Sequence, residues 1–92
     1  MAQTMHNPAS PGELLKEFLG DRSISALAEH IGVARATISR IINGRTAVTV
    51  EMSIRLGAAL NLSPEFFIKA QVQYDLWMAT RQKRPQIKPL AA

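Results

Sequence analysis

A chain of 92 residues has room for one domain with one small hydrophobic core, and for no second domain that could enclose an active site. It contains no cysteine, which excludes disulfides and thiolate metal sites and suits a reducing cytoplasm. No secretory signal is visible, and no apolar stretch approaches the roughly 20 residues that span a bilayer. We therefore expect a cytoplasmic protein without a membrane anchor.

The net charge of +4 is unevenly distributed along the chain. Residues 1–80 contain as many acidic as basic side chains, so the whole excess lies in residues 81–92. Within the neutral part, residues 30–50 contain three arginines and no acidic residue. Clustered positive charge is typical of nucleic-acid binding. This acid-free window is therefore a better indication of a DNA-binding site than the total charge.

The first two predicted helices follow a short N-terminal segment. Residues 1–10 are poor in apolar side chains and are predicted to form a loose arm. Pro11 suits the first position of a helix that continues to about Leu19. Ser23 can cap a second helix, and Gly32 is placed where a left-handed residue ends it. The buried face of the second helix is predicted to consist of Ile24, Leu27, Ala28 and Ile31.

Three more helices are predicted from local start and stop signals. Asn43-Gly44 is a strong stop for the third, Thr49 is a good cap for the fourth, and Ser63-Pro64-Glu65 combines a cap, a proline and an early carboxylate. The predicted bounds are about Ala34 to Asn43, Thr49 to Asn61 and Ser63 to Thr80.

No segment alternates apolar and polar residues with the period of a strand, and no internal repeat is present. The sequence therefore predicts an all-α fold of five helices. The helical domain is predicted to span residues 11–80. Residues 81–92, hereafter the basic tail, contain two prolines and are predicted to be disordered.

The segment from residue 24 to residue 43 has the spacing of a helix-turn-helix. This motif needs a small residue where two helices cross, a short turn, and an apolar anchor under the second helix. Ala28, Gly32 and Ile38 supply these at spacings of four and six. The residues predicted to pack the motif are Leu27, Ala28, Gly32, Ile38 and Ile41.

The third helix separates an apolar arc from a polar face of short side chains and two arginines. Small residues permit close approach to base edges, and arginine can bond guanine O6 and N7 in bidentate fashion. Because any surface helix is amphipathic, this separation alone does not indicate DNA binding. The prediction of DNA binding depends on the motif spacing and on the acid-free window. Base contacts are predicted from Arg35, Ala36 and Arg40. Phosphate contacts are predicted from Ser23, Thr37, Ser39, Asn43 and Arg45, of which Arg45 could equally be a solvated loop charge.

The chain contains the blocks GVARATISR at residues 32–40, SPEFF at 63–67 and QYDLW at 73–77. Over residues 7–78 it resembles the Xre-type helix-turn-helix regulators, and within them the HigA-type antitoxins of bacterial toxin-antitoxin operons. The last two blocks distinguish this group from generic phage-type repressors. The resemblance implies a lambda-repressor-like fold and a homodimer that binds a palindromic operator and represses its own operon. It also implies a partner toxin, an mRNA endonuclease of HigB/RelE type, which the antitoxin neutralises.

Two positions depart from the pattern of this family. Ala34 stands where the family commonly has serine or threonine, so the third helix is predicted to lack a side-chain cap. The loss would weaken the start of that helix by about 1 kcal/mol. Phe67 stands where the family often has tryptophan.

The fifth helix carries two apolar stripes on opposite sides. One stripe, which includes Phe67 and Trp77, can cover the core of the domain, and the other needs a different partner. A twofold mate would place two recognition helices about 34 Å apart. The alternative is a terminal helix buried on both sides within the monomer. The residues predicted to form the dimer interface are Ile68, Val72, Leu76 and Ala79.

The remaining residues give no indication of catalysis. His6 and His30 stand alone without a second ligand at metal spacing, so we expect no metal, no cofactor and no enzymatic activity. The basic tail could contact phosphates or only aid solubility. Two other functions remain open, a stand-alone Xre-type regulator without a toxin and a helical adaptor that binds only protein.

Overall fold

The computed structural model describes residues 7–91, which fold as five α-helices without a strand among them. The predicted all-α fold class is confirmed. Residues 1–6 of the predicted arm, and His6 with them, lie outside the described residues. The helices are α1 (Pro11–Leu19), α2 (Ile24–Ile31), α3 (Arg35–Ile42), α4 (Val50–Leu60) and α5 (Phe66–Thr80).

Side-chain caps begin three of the helices. Ser23 accepts a hydrogen bond from a backbone N–H of α2, and Thr49 does the same for α4. α1 has a capping box, in which the Ser10 hydroxyl accepts from the Glu13 N–H at 3.2 Å and the Ser10 N–H donates to the Glu13 carboxylate at 2.9 Å. The predicted start of α1 rested on Pro11, and the capping role of Ser10 was not predicted. Ala34 begins α3 without a side-chain cap, as predicted.

The start of α5 differs from the prediction. The helix begins at Phe66, and Ser63 does not cap it with its side chain. Instead the buried hydroxyl of Ser53, on α4, donates to the carbonyl of Pro64 at 2.6 Å and accepts from the Ile68 N–H at 2.9 Å. A serine eleven residues earlier therefore satisfies the backbone at this helix start.

One core joins all five helices. An edge-to-face cluster of Phe18, Phe66 and Phe67, with ring centroids 5.1 to 6.4 Å apart, attaches α5 to α1. The core supports the inner side of α3, which fixes the direction of its outer side. The buried apolar residues that form this core are Leu15, Leu19, Leu27, Ala28, Ile38, Ile41, Val48, Met52, Leu56 and Phe67.

At Gly12, the backbone of α1 lies directly against the backbone at the end of α3. A β-carbon at this position would meet the backbone carbonyl oxygens of Ile41 and Ile42, the second at 2.6 Å. Only a residue without a side chain fits between the two backbones. Gly12 thus sets how closely α1 supports the C-terminal end of α3.

Candidate nucleic-acid interface

A three-residue turn separates α2 from α3. Gly32 adopts the left-handed conformation, with φ of 76°, which glycine reaches without a steric penalty. The Val33 N–H donates to the Ala28 carbonyl at 2.9 Å, and the Gly32 N–H donates to the Glu29 carbonyl at 3.3 Å. These bonds satisfy two of the last four carbonyls of α2 and redirect the chain. Segment 24–42 is therefore two helices joined at a fixed turn.

The residues predicted to pack this motif lie inside it. Ala28 is 2 % exposed, and Ile38 and Ile41 are at most 1 % exposed. Leu27 is also buried, and Gly32 lies in the turn. Because a small residue and two branched ones fill the space between α2 and α3, α3 cannot roll without losing core contacts.

The three predicted base-contact residues lie together on the outer side of α3. Arg35, Ala36 and Arg40 are all exposed. The Arg35 guanidinium donates through Nε to the Ser25 hydroxyl at 3.1 Å and so reaches across to the first turn of α2. Within residues 7–91, the Arg40 side chain makes neither an ion pair nor a hydrogen bond to another side chain. Arg40 is therefore free to contact a ligand.

The predicted phosphate-contact residues are more varied in their surroundings. The Asn43 amide donates to the Ser39 carbonyl at 2.9 Å and to its hydroxyl at 3.3 Å, which ties the end of α3 together. Ser39 and Thr37 are half-buried, whereas Arg45 is exposed. The Ser23 hydroxyl, also exposed, accepts from the Ala26 N–H at 2.9 Å. Three of these five residues are thus exposed and two are half-buried, so they are not equally accessible to a ligand.

The loop that carries Arg45 is held by α5. Gly44 turns the chain in the left-handed conformation, with φ of 71°. At the end of the loop, the Val48 N–H donates to the Gln71 side chain at 2.8 Å. Gln71 in turn donates to Asp75 at 2.9 Å. Gln71 was not among the predicted functional residues, because nothing in the local pattern marks a contact between residues 23 positions apart.

A second exposed surface lies on α5. Val72 and Leu76 are 51 % and 54 % exposed, whereas Phe67 and Ala70 on the opposite side are buried. The outward stripe is thus the predicted set of Ile68, Val72, Leu76 and Ala79, in which Ile68 and Ala79 are half-buried.

α4 adds two exposed apolar residues that sequence analysis did not identify. Val50 is 63 % exposed and Ile54 is 45 % exposed, and they lie one turn apart on the helix. The bond from the Ile68 N–H to Ser53, beside Ile54, shows that the two helices adjoin there. We call the six residues on the two helices the apolar face: Val50, Ile54, Ile68, Val72, Leu76 and Ala79.

Two kinds of site, metal centres and membrane-spanning helices, are absent from the part of the chain that the structure describes. No group of three or more acidic or histidine side chains in residues 7–91 is arranged to hold a metal ion. None of the five helices combines the length and the apolar character that a membrane crossing requires. Within the helical domain, the exposed side of α3 and the apolar face are the candidate interaction surfaces.

Two short helices locked at a turn, with the second presenting arginines outward, define a helix-turn-helix protein. The comparisons with known proteins agree. The helix-turn-helix family model matches residues 13–67. The antitoxin HigA-1 of Vibrio cholerae is 42 % identical to the chain, and the match covers 98 % of this chain and 90 % of that protein.

Two solved structures from Pseudomonas aeruginosa resemble the fold. One is the antitoxin HigA with the higBA promoter, at 35 % identity and a TM-score of 0.75 over 80 % of this chain and 84 % of that one. The other is a protein in complex with its 18-base-pair operator DNA, at 34 % identity and a TM-score of 0.82 over 90 % of this chain and 97 % of that one. The chain belongs to the helix-turn-helix family, in the group of the HigA-type antitoxins.

Proposed function

We propose that this protein is a transcriptional repressor that binds operator DNA through α3 and acts as the antitoxin of a toxin-antitoxin pair. The observation that carries the proposal is the exposed set Arg35, Ala36 and Arg40 on a helix whose inner side is fully buried. The HigA of P. aeruginosa was solved with promoter DNA, and its fold matches this one. The protein would act in the cytoplasm as a binding protein, without enzymatic activity or a cofactor.

The assignment of roles follows from chain length and exposure. Arg40 is exposed and unpaired in the described chain, which suits a bidentate contact to guanine. Ala36 leaves room for α3 to approach the bases, and Arg35 contacts a base after it releases Ser25. Ser23, Thr37, Ser39, Asn43 and Arg45 position the protein on phosphates without reading sequence.

The apolar face supports a homodimer. A solvent-exposed patch that combines Val72, Leu76 and Val50 is typical of an interaction site. A twofold mate on this face would present two copies of α3 to successive major grooves of a palindromic operator. Dimerisation thus explains both the patch and the need for two recognition helices.

The partner toxin is inferred from the antitoxin relatives. We propose an mRNA endonuclease of HigB/RelE type, encoded beside this gene, which the protein binds and inhibits. Without such a neighbour, the protein would be a stand-alone regulator with the same DNA-binding surface.

DNA binding is tested by titrating a duplex from the region upstream of its own gene and a shuffled duplex of equal length and composition, at one fixed salt concentration. Specific binding should exceed non-specific binding by about a thousandfold or more. Equal affinity for the two duplexes would contradict specific operator binding, and absence of salt-dependent binding to either duplex would favour a protein-binding adaptor.

The antitoxin role is tested by expressing the neighbouring open reading frame with and without this protein. Growth arrest that co-expression relieves, together with a complex of the two purified proteins, is the expected result. If growth arrest persists on co-expression and the two purified proteins form no complex, the antitoxin role is wrong and the protein is a stand-alone regulator.

A further inference from the structure

The basic tail holds the whole net positive charge of the protein. Among residues 81–91, Arg81, Lys83, Arg84 and Lys88 are all exposed, and no acidic residue accompanies them. The ion pair between Arg55 and Glu51 is the single one within residues 7–91, so none of the four is neutralised by a carboxylate there. A formally neutral body therefore carries a segment with four uncompensated cations, and a dimer carries two such segments.

The conformation of the tail keeps these cations apart from the body. After α5 and a short turn, residues 83–91 form neither helix nor strand. Pro85 and Pro89 restrict the backbone to extended conformations, which rise about 3.1 Å per residue. Ile87 and Leu90 are 86 % and 98 % exposed, so no apolar contact draws the segment back onto the core. Only Arg81 is engaged, with its guanidinium 4.4 Å from the centre of the Trp77 ring.

The tail starts about two helical turns beyond the cleft lined by the loop that carries Arg45. Tyr74 and Asp75 of α5 line a cleft of about 630 Å³ together with Asn43, Gly44 and Arg45. Arg81 follows Tyr74 by seven residues, about 10 Å along a helix axis. At about 3.1 Å per residue, the eleven residues 81–91 span about 34 Å when extended, which exceeds the roughly 12 Å width of a major groove.

We propose that the basic tail binds phosphates of duplex DNA that flanks the operator contacted by α3. The inference rests on the proposed function, because it takes Asn43 and Arg45 to face the DNA backbone. Lysine and arginine on an extended chain bind phosphates through charge and release counterions, without reading bases. The tail thus adds affinity and salt dependence, while α3 supplies sequence preference.

The test compares the full-length protein with the triple variant Lys83→Gln, Arg84→Gln, Lys88→Gln. Arg81 is left unchanged because it stacks on Trp77. The dissociation constant for the operator duplex is measured over a series of salt concentrations. Each lost phosphate contact lowers the magnitude of the slope of log Kd against log salt concentration by about 0.9. Loss of the three substituted cations should therefore lower that magnitude by about 2 to 3 for each engaged tail. The ratio of operator to shuffled-duplex affinity at fixed salt should stay the same.

A charge-preserving variant, Lys83→Arg, Arg84→Lys, Lys88→Arg, serves as the matched control and should keep the slope of the parent. The effect should also shrink on a duplex trimmed to the footprint of the glutamine variant, since the flanking phosphates are then missing. If the slope for the glutamine variant differs from that of the parent by less than about one unit, the inference is wrong. A variant that is less soluble but keeps the slope of the parent would show that the tail only aids solubility.

The outcomes separate this inference from the proposed function. If the parent prefers its operator and the slope is insensitive to the tail, the function stands and the tail inference fails. If the parent shows no operator preference but the tail sets the slope on any duplex, the tail binds DNA and the operator assignment fails.

Discussion

The guanidinium of Arg55 on α4 donates to the backbone carbonyl oxygen of Ile31 at 2.8 Å. Ile31 is the last residue of α2, and the carbonyls at a helix C-terminus have no partner within the helix. Glu51, one turn before Arg55, holds the same guanidinium at 2.9 Å. α4 therefore fixes the end of α2 immediately before the turn that leads to α3.

Loss of this contact should loosen the helix-turn-helix. Arg55→Met keeps much of the apolar stem but removes the donor to Ile31. We expect the free energy of unfolding to fall by about 1 to 2 kcal/mol, since the bond is charge-assisted but partly exposed. Urea denaturation followed by circular dichroism measures the change.

The matched control for Arg55 is Glu51→Gln, which removes the ion pair and leaves the bond to Ile31. A surface pair of this kind contributes less than about 1 kcal/mol. If Arg55→Met and Glu51→Gln lower the free energy of unfolding equally, the hydrogen bond from Arg55 to the Ile31 carbonyl does not stabilise the protein.

Gly12→Ala should destabilise the protein although it places a better helix former in α1. In an open helix this exchange stabilises by about 1 kcal/mol. Here the new methyl group would collide with backbone carbonyls of Ile41 and Ile42, which cannot rotate away. We expect a net loss of about 1 to 3 kcal/mol in thermal or urea unfolding.

Glu17→Ala, at an exposed position of the same helix, is the comparison and should change stability by less than about 0.5 kcal/mol. A Gly12→Ala protein at least as stable as the parent would mean that α1 and α3 can separate without cost.

Local signals account for most of the fold. The sequence predicted α1 to α4 to within a residue at each end, because Ser23, Thr49, Gly32 and Asn43-Gly44 act on the backbone beside them. The start of α5 was placed too early. Its backbone is satisfied by Ser53, which packs there only after α4 and α5 meet, and sequence spacing does not reveal such a contact.

Part of the candidate site was also predictable from local sequence, and part of it depends on contacts between helices. The exposure of Arg35 and Arg40 follows from the helical period of about 100° per residue once the buried arc is known. The contact between Arg35 and Ser25 spans ten residues, and that between Arg55 and Ile31 spans 24. Both depend on the angle between helices, which the order of residues alone does not give.

Arg40 and Arg45 should affect DNA binding differently. Arg40→Ala removes the side chain that we assign to a base contact, so we expect operator preference to fall by about 1 to 3 kcal/mol with fold and dimer intact. Arg45→Ala removes the side chain that we assign to a phosphate contact and should weaken operator and shuffled duplexes alike. Gel-shift titrations of both duplexes at fixed salt distinguish the two effects. Unchanged operator preference in Arg40→Ala would defeat its assignment to a base.

Val72→Lys should convert the dimer into a monomer. Val72 is 51 % exposed in the single chain, so lysine is tolerated there, but in the dimer its charge would be buried in the apolar face. Sedimentation at tens of micromolar protein measures the state, and circular dichroism checks that the helices remain. Gln73→Lys adds the same charge beside the stripe and should stay dimeric. A dimer that survives Val72→Lys would place the interface elsewhere.

Ala34→Thr should stabilise the start of α3. Ala34 has φ of −70° and ψ of 145°, close to the −79° and 148° of Ser23, which caps α2 with its hydroxyl. A hydroxyl at position 34 could therefore accept from the Thr37 N–H as Thr49 does from Met52. The expected gain in the free energy of unfolding is about 1 kcal/mol. Ala34→Val is the matched control, because valine has the shape of threonine without the hydrogen-bond acceptor, and it should give no gain. Equal stability of the two variants would show that the shape of the side chain, and not a cap, causes the change in the free energy of unfolding.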